Sequence, residues 1–204
     1  SANLRSLGFE LGRLKTGTCP RLAAETVDFH ELPVQPGDDP PQPFSEMTGR
    51  GVADPAYAEL ADRFPVLEQR PCWMTQTNEA IHEKIRANLD RAPMFNGQIE
   101  ADCGPRYCPS IEDKVVRFAD KHSHHVFLEP ESLETNEIYC NGIPTSLPVD
   151  VQAFMVANMP GCEEATILRP GYAVEYDMVW PHQIGARAVA RRVAGLFLAA
   201  QIHG

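Results

Sequence analysis

The chain reads as an α/β fold with a loop-rich mixed portion in its middle. Three observations predict this. Stretches of helical period alternate with strand-like runs. The run "AGLFLAAQIHG" near the carboxyl end is continuously apolar, as in strands buried on both faces of a parallel sheet. The 18 prolines among 204 residues, crowded with glycine over 34–64, call for long ordered loops.

Taken in order, "SANLRSLGFELGRLKTGT" predicts the tail of a helix ending at Gly8, then a short strand and a Gly-rich turn over 12–18. The segment 34–64 predicts a long loop or small excursion with a short helix over 55–63. In "TNEAIHEKIRANLDRA", Ile81, Ile85 and Leu89 line one face of a helix capped by Thr77 or Asn78. "HHVFLEPE" and "EIYCNGI" predict strands, and "SLPVDVQAFMVANMPG" a helix entered near Pro148 and ended by Pro160 and Gly161. "ATILRPGYAVEYDMVW" predicts a strand pair around a turn at Pro170 and Gly171. No internal repeat is visible.

Hydrophobic residues at 43% and charged residues at 23% fit one sizeable domain, or one domain carrying an insertion. No apolar run reaches the roughly 18 to 20 residues of a bilayer span, so a soluble protein without a membrane partner is expected. The net charge of −10 does not suit a general nucleic-acid binder. Basic clusters at Arg13, Lys15 and Arg21, at Lys114, Arg117 and Lys121, and at Arg187, Arg191 and Arg192 read as solvated surface charge. Six cysteines, at 19, 72, 103, 108, 140 and 162, are too dispersed for a disulfide scaffold and suit a reducing compartment. The opening "SANLRSLGF" has no signal-peptide core.

The stretch richest in chemistry is "CGPRYCPSIEDKVVRF", 103–118. Pro109 suits the first position of a helix, which makes Cys108 its N-cap; Glu112 and Asp113 complement the dipole, and Ile111, Val115 and Phe118 supply an apolar face. A thiol at such a terminus beside Arg106 is in surroundings that favour thiolate. The same residues also suit an inert cap packed near Tyr107. A zinc set of Cys103, Cys108, His122, His124 and His125 has spacing poor for a finger, and no metal is assigned. His30, His82 and His182 have no partner evident and read as surface or packing. "GRLKTGT" lacks the residue order of a phosphate loop.

Several ordered blocks resemble one family: "GRLKTGT" at 12–18, "GPRYCPSIEDKVVRFADK" at 104–121, "FLEPE" at 127–131, "TSLPVDVQ" at 145–152, "RPGYAVEYD" at 169–177 and "GLFLAAQI" at 195–202. This is the GidA or MnmG family, the flavoprotein component of the enzyme that modifies the wobble uridine of tRNA. The resemblance implies a glutathione-reductase-like FAD-binding fold, with 1–25 and 166–204 in the FAD-binding domain and 26–165 in an inserted α+β region that handles the nicotinamide nucleotide. It implies FAD, NADH and methylene-tetrahydrofolate acting on C5 of uridine 34, tRNA as substrate, a GTPase partner, and a bacterial cytoplasmic or mitochondrial location.

Matched residue by residue, Gly104, Pro105, Arg106, Tyr107, Cys108, Pro109, Ser110, Ile111, Glu112, Asp113, Lys114 and Phe118 fall in the segment assigned to NAD(H). Gln201 matches a flavin contact, and Cys108 the family's second important cysteine, a catalytic candidate. Arg13, Lys15, Arg106 and Lys114 are the implied contacts to tRNA or nucleotide phosphates. The Gly-rich turn that holds the FAD pyrophosphate is not among these residues, so a further chain is expected to supply it, and this chain alone is not expected to hold flavin. Cys19 stands where the family has proline, Gln76 where it has histidine, Pro144 where it has serine, Ala200 where it has glycine and His203 where it has asparagine; Ala188-Val189-Ala190-Arg191 stands for Leu-Glu-Thr-Lys. These departures also suit a non-catalytic paralogue serving as a structural subunit of a larger assembly, such as an organellar ribosome.

Overall fold

The structure is a computed structural model that describes residues 1–41, 68–93, 95–97 and 108–203. Its elements in chain order are α1 (Ala2–Ser6), β1 (Leu11–Gly17), β2 (Arg21–Ala23), β3 (Val34–Gln35), β4 (Cys72–Gln76), α2 (Glu79–Arg86), α3 (Ile111–Arg117), β5 (His125–Pro130), β6 (Glu137–Asn141), α4 (Val149–Ala157), β7 (Ile167–Arg169) and β8 (Ala173–Val179). The expected helix over 55–63 lies outside the described residues.

The described fold is mixed α and β with antiparallel sheets. One sheet has six strands in the order β3-β4-β5-β6-β2-β7, and the other is the two-stranded ribbon β1-β8. Alternation sets the large sheet's inner face. Val126 and Leu128 on β5 and Ile138 and Cys140 on β6 are buried, with Leu22 of β2 beside them. Against that face the helices place Ile81 and Ile85 (α2), Ile111 and Val115 (α3), and Val151, Met155 and Val156 (α4), forming one continuous core. A smaller core of Phe9, Val179, Ile184, Ala190 and Leu198 sits by the ribbon. The chain changes sheets between β1 and β2 and again between β7 and β8.

The helix ending before Gly8, α2, β5, β6, and α4 following Pro148 appear as the sequence predicts, and of the two caps it offers for α2 the structure uses Asn78. Three expectations are corrected. The segment 12–18 is not a glycine turn: β1 runs straight through to Gly17, paired along its length with β8. The strands flanking Pro170 and Gly171 do not pair with each other, because β7 joins β2 and β8 joins β1. The apolar run 194–204 is not a parallel strand. Its described part carries one isolated bridge, Val189 to Phe197, and a 3-10 turn at Ala200–His203, with Phe197 65% exposed. Apolarity makes a strand only where neighbouring strands take its backbone groups, and among the described residues β8 packs against the end of this run without pairing with it.

Candidate functional site

The crossing points and the start of α3 meet in one polar knot. The α3 cap is Ser110, whose hydroxyl accepts from the Asp113 N–H at 3.2 Å, so the expectation that Cys108 caps the helix is corrected. A hydroxyl oxygen is a far better acceptor for the orphan N–H groups of the first turn than a thiol, which moves the cap two residues on. The Ile111 N–H donates to Pro144 O at 2.7 Å, pinning the helix start to the loop before α4. Glu112, with no exposed surface, accepts at Oε1 from the Thr145 hydroxyl (2.8 Å) and the Ser146 N–H (2.9 Å); its Oε2 has no protein partner.

The same loop binds both crossings. Thr145 N–H donates to Thr18 O and Thr18 N–H to Tyr172 O. Gln152 on α4 holds Gly171 from both sides, donating Nε2–H to its carbonyl (2.9 Å) and accepting its N–H at Oε1 (2.7 Å). This clamp, with Pro170 unable to donate, turns the chain out of the large sheet before β8. Glycine is required at two of these contacts. A Cβ at Gly17 would sit 2.6 Å from Thr145 N, and one at Gly171 would collide with Thr18 O.

On the rim of this knot lies Cys108, exposed and free. The Thr16 hydroxyl, reaching from β1, stands 3.0 Å from Cys108 O and 3.3 Å from its Sγ. Lys114, one turn into α3, is half-buried and donates Nζ–H to Gly142 O at 2.7 Å. Burial lowers the Lys114 pKa from its ordinary value, opposed by the Cys19 and Cys108 sulfurs beside it. Cys19 is 1% exposed; burial raises its thiol pKa, and the Tyr139 hydroxyl beside it acts against that rise. Two thiols, an amine, a phenol and a threonine hydroxyl thus gather where 16–19, 108–114 and 139–142 meet. Groups of these kinds can take part in nucleophilic or proton-transfer chemistry.

The remaining predicted residues are distributed as follows. Gly104, Pro105, Arg106 and Tyr107 lie outside the described residues, as does Cys103 of the zinc set. Among the described residues no three His, Cys, Asp or Glu side chains form a metal-holding group. Pro109 precedes the cap and is partly exposed, Asp113 accepts from the Ser110 hydroxyl, and Phe118 is 49% exposed at the end of α3. Ile111 and Glu112 have no exposed surface, so any part they play toward a nucleotide is through the loop they anchor. Gln201 is exposed in the 3-10 turn, following Ala200 at φ +57°.

Arg13 lies on the ribbon between Glu175 (2.8 Å) and Asp177 (2.8 Å), which raise its pKa further, and Lys15 stands opposite Glu175 in the ladder. Two of the charges read as solvated are corrected: Lys114 is half-buried, and Arg21 packs over the Tyr139 ring at 4.7 Å while pairing with Glu131. Thr16, Thr145 and Gln152 sat within the quoted blocks but carried no individual signal, because a threonine or glutamine acquires a role only from what the fold places beside it.

The chain matches the family model described as glucose inhibited division protein A over residues 1–204. It is 52% identical over its whole length to the tRNA uridine 5-carboxymethylaminomethyl modification enzyme MnmG of Thermodesulfovibrio yellowstonii, covering 30% of that protein. It is 53% identical to the protein of the same name from Rhodopirellula baltica, covering 29% of it. Among solved structures, Aquifex aeolicus GidA in its form I crystal superposes with a TM-score of 0.76 at 46% identity, over 95% of this chain and 31% of that one. The chain therefore spans about 30% of the length of the relatives it matches. With the family model matching from end to end, the chain belongs to the GidA (glucose inhibited division protein A) family.

Proposed function

We propose that these residues form part of a tRNA-modifying flavoprotein that adds a (carboxymethyl)aminomethyl group to C5 of the wobble uridine, with Cys108 as its reacting thiol. The names of the matched relatives support the tRNA uridine chemistry. The observation that carries the assignment to this site is the exposed Cys108 sulfur, held by Thr16 on a rim whose backbone is fixed by Glu112, Thr145 and Gln152. A thiol so placed suits addition to an electron-poor pyrimidine, or proton exchange with it.

In this reading FAD, NADH and methylene-tetrahydrofolate supply the redox and one-carbon chemistry, tRNA is the substrate and a GTPase the partner. The FAD pyrophosphate site, on a glutathione-reductase-like fold, comes from residues beyond these 204. The nicotinamide nucleotide is assigned to 104–118, and phosphate contacts to Arg13, Lys15, Arg106 and Lys114. The working place is a bacterial cytoplasm or a mitochondrion. Among the described residues no helix is long and apolar enough to cross a membrane.

Cys108→Ser in the full-length protein tests this. Mass spectrometry of nucleosides from tRNA of a complemented cell is expected to show loss of the carboxymethylaminomethyl uridine. Unchanged modification would remove Cys108 from the chemistry.

One observation favours a second reading, that of a structural subunit: Ala200 occupies a left-handed conformation, φ +57°, where the resemblance places glycine beside the flavin. Bound flavin, measured by absorbance after denaturing the native assembly, separates the two. Its presence supports the enzyme, and its absence amid many structural partners supports the subunit.

A further inference from the structure

Thr16 has one hydroxyl proton and two neighbours on Cys108, the carbonyl oxygen at 3.0 Å and the sulfur at 3.3 Å. The carbonyl only accepts. While Cys108 carries its proton, the consistent arrangement has Thr16 donating to Cys108 O and accepting the S–H. Once the sulfur has lost that proton it can only accept, and the same hydroxyl, rotated about its C–O bond, donates to it. No other group need move.

The position of Thr16 is not adjustable. It is paired across the ribbon with Val174, and its neighbour Gly17 packs 2.6 Å, measured from an added Cβ, from the Thr145 backbone. Thr18 is bonded to Tyr172 and Thr145. Cys108, by contrast, precedes the Ser110 cap and lies outside the hydrogen-bonded turns of α3. The rigid strand thus presents a hydroxyl to a cysteine that its own helix does not hold.

We propose that Thr16 is the positioning residue for the Cys108 thiol, fixing its sulfur from β1 and turning from acceptor to donor as the sulfur loses its proton. The proposal rests on the reading of Cys108 as the reacting thiol and adds the group that directs it. A side chain with the same shape and no hydroxyl, Thr16→Val, keeps the strand and removes both bonds, whereas Thr16→Ser keeps the hydroxyl.

The experiment is alkylation of the full-length protein by iodoacetamide, followed at Cys108 by peptide mass spectrometry. In that step a sulfur–carbon bond forms, the carbon–iodine bond breaks, iodide departs and the thiol proton passes to buffer. Thr16→Val is expected to slow labelling of Cys108 about tenfold, the loss of one hydrogen bond to a charged group, and Thr16→Ser to return it within about twofold of wild type. Thr16→Ala is expected to repeat the valine result. In tRNA modification by the complete enzyme, Thr16→Val is expected to lower kcat with KM for tRNA unchanged.

Wild-type labelling rates in both hydroxyl-free variants would overturn the proposal. So would labelling of the buried thiols Cys19, Cys140 and Cys162 together with Cys108 in those variants, since it would assign Thr16 to folding alone. Cys108→Ser separates the two levels: if that variant still modifies tRNA while the labelling series behaves as expected, the chemical role of Cys108 falls and the positioning by Thr16 stands.

Discussion

The carboxylate of Glu112 takes two donors on one oxygen and none from the protein on the other. Truncation to alanine would leave the Thr145 hydroxyl and Ser146 N–H unpaired in a buried place and open a cavity, so Glu112→Ala is expected to cost about 3 kcal/mol. Glu112→Gln keeps an acceptor for both donors, places its amide where Oε2 had no partner, and should cost about 1 kcal/mol or less. Urea unfolding of the two variants checks the order, and equal losses would contradict it. From sequence, Glu112 reads as an acidic residue in a helix's first turn, with nothing to mark it as the buried anchor of a loop more than thirty residues away. Cys108 was legible as a candidate because thiols are scarce and reactive, whereas Thr16, bearing one of the commonest polar side chains, was not.

Among the elements, α2 was the most legible, since Ile81 and Ile85 recur at helical spacing behind a capping asparagine. Asn78 does two things that the spacing reports only in part. Its oxygen accepts the Ile81 N–H at 3.0 Å, and its amide donates to Asn158 O at 2.8 Å, tying the start of α2 to the end of α4. Asn78→Ala is expected to lose about 2 kcal/mol, and Asn78→Asp about half of that, because aspartate keeps the cap and cannot donate to Asn158. Thermal or urea denaturation of both variants reads this out; identical losses would mean that the tie to Asn158 contributes nothing. The conformation of the run at 194–204 is not legible in the sequence, because its composition suits a buried strand and composition carries no information about neighbours.

Across the whole molecule, pH acts through an imidazole pair, buried His82 on α2 and half-buried His124 just before β5. His82 has no exposed surface and bonds through Nε2 to the Thr77 hydroxyl at 2.8 Å; its ring lies 5.1 Å from that of His124. Burial lowers both pKa values from the ordinary 6.5; around His82 the charges of Arg86 and His122 act with it and that of Glu79 against, and around His124 those of His82, Lys114, His125 and Lys121 act with it. Because folding lowers both pKa values, the unfolded chain binds more protons below about pH 6.5, and stability falls as pH drops through that value toward the lowered folded pKa. The urea midpoint is therefore expected to fall between pH 7.5 and pH 5.5, and a His82→Gln, His124→Gln variant to lose most of that dependence. A variant that keeps the full wild-type slope would place the titration elsewhere. By itself the sequence determined the local features: the helix periods and a cap at Thr77 or Asn78, the strands at 125–130 and 137–141, the chemically suggestive cysteine and the family that the ordered blocks carry. Only the tertiary structure decided the antiparallel order of the sheets, the parting of β7 from β8, the shift of the α3 cap to Ser110, and the meeting of Thr16, Cys19 and Lys114 near Cys108. Periods and caps are settled by neighbours within a turn, whereas strand partners and site neighbours are settled by which distant segments can satisfy one another's backbone and polar groups once the core has closed.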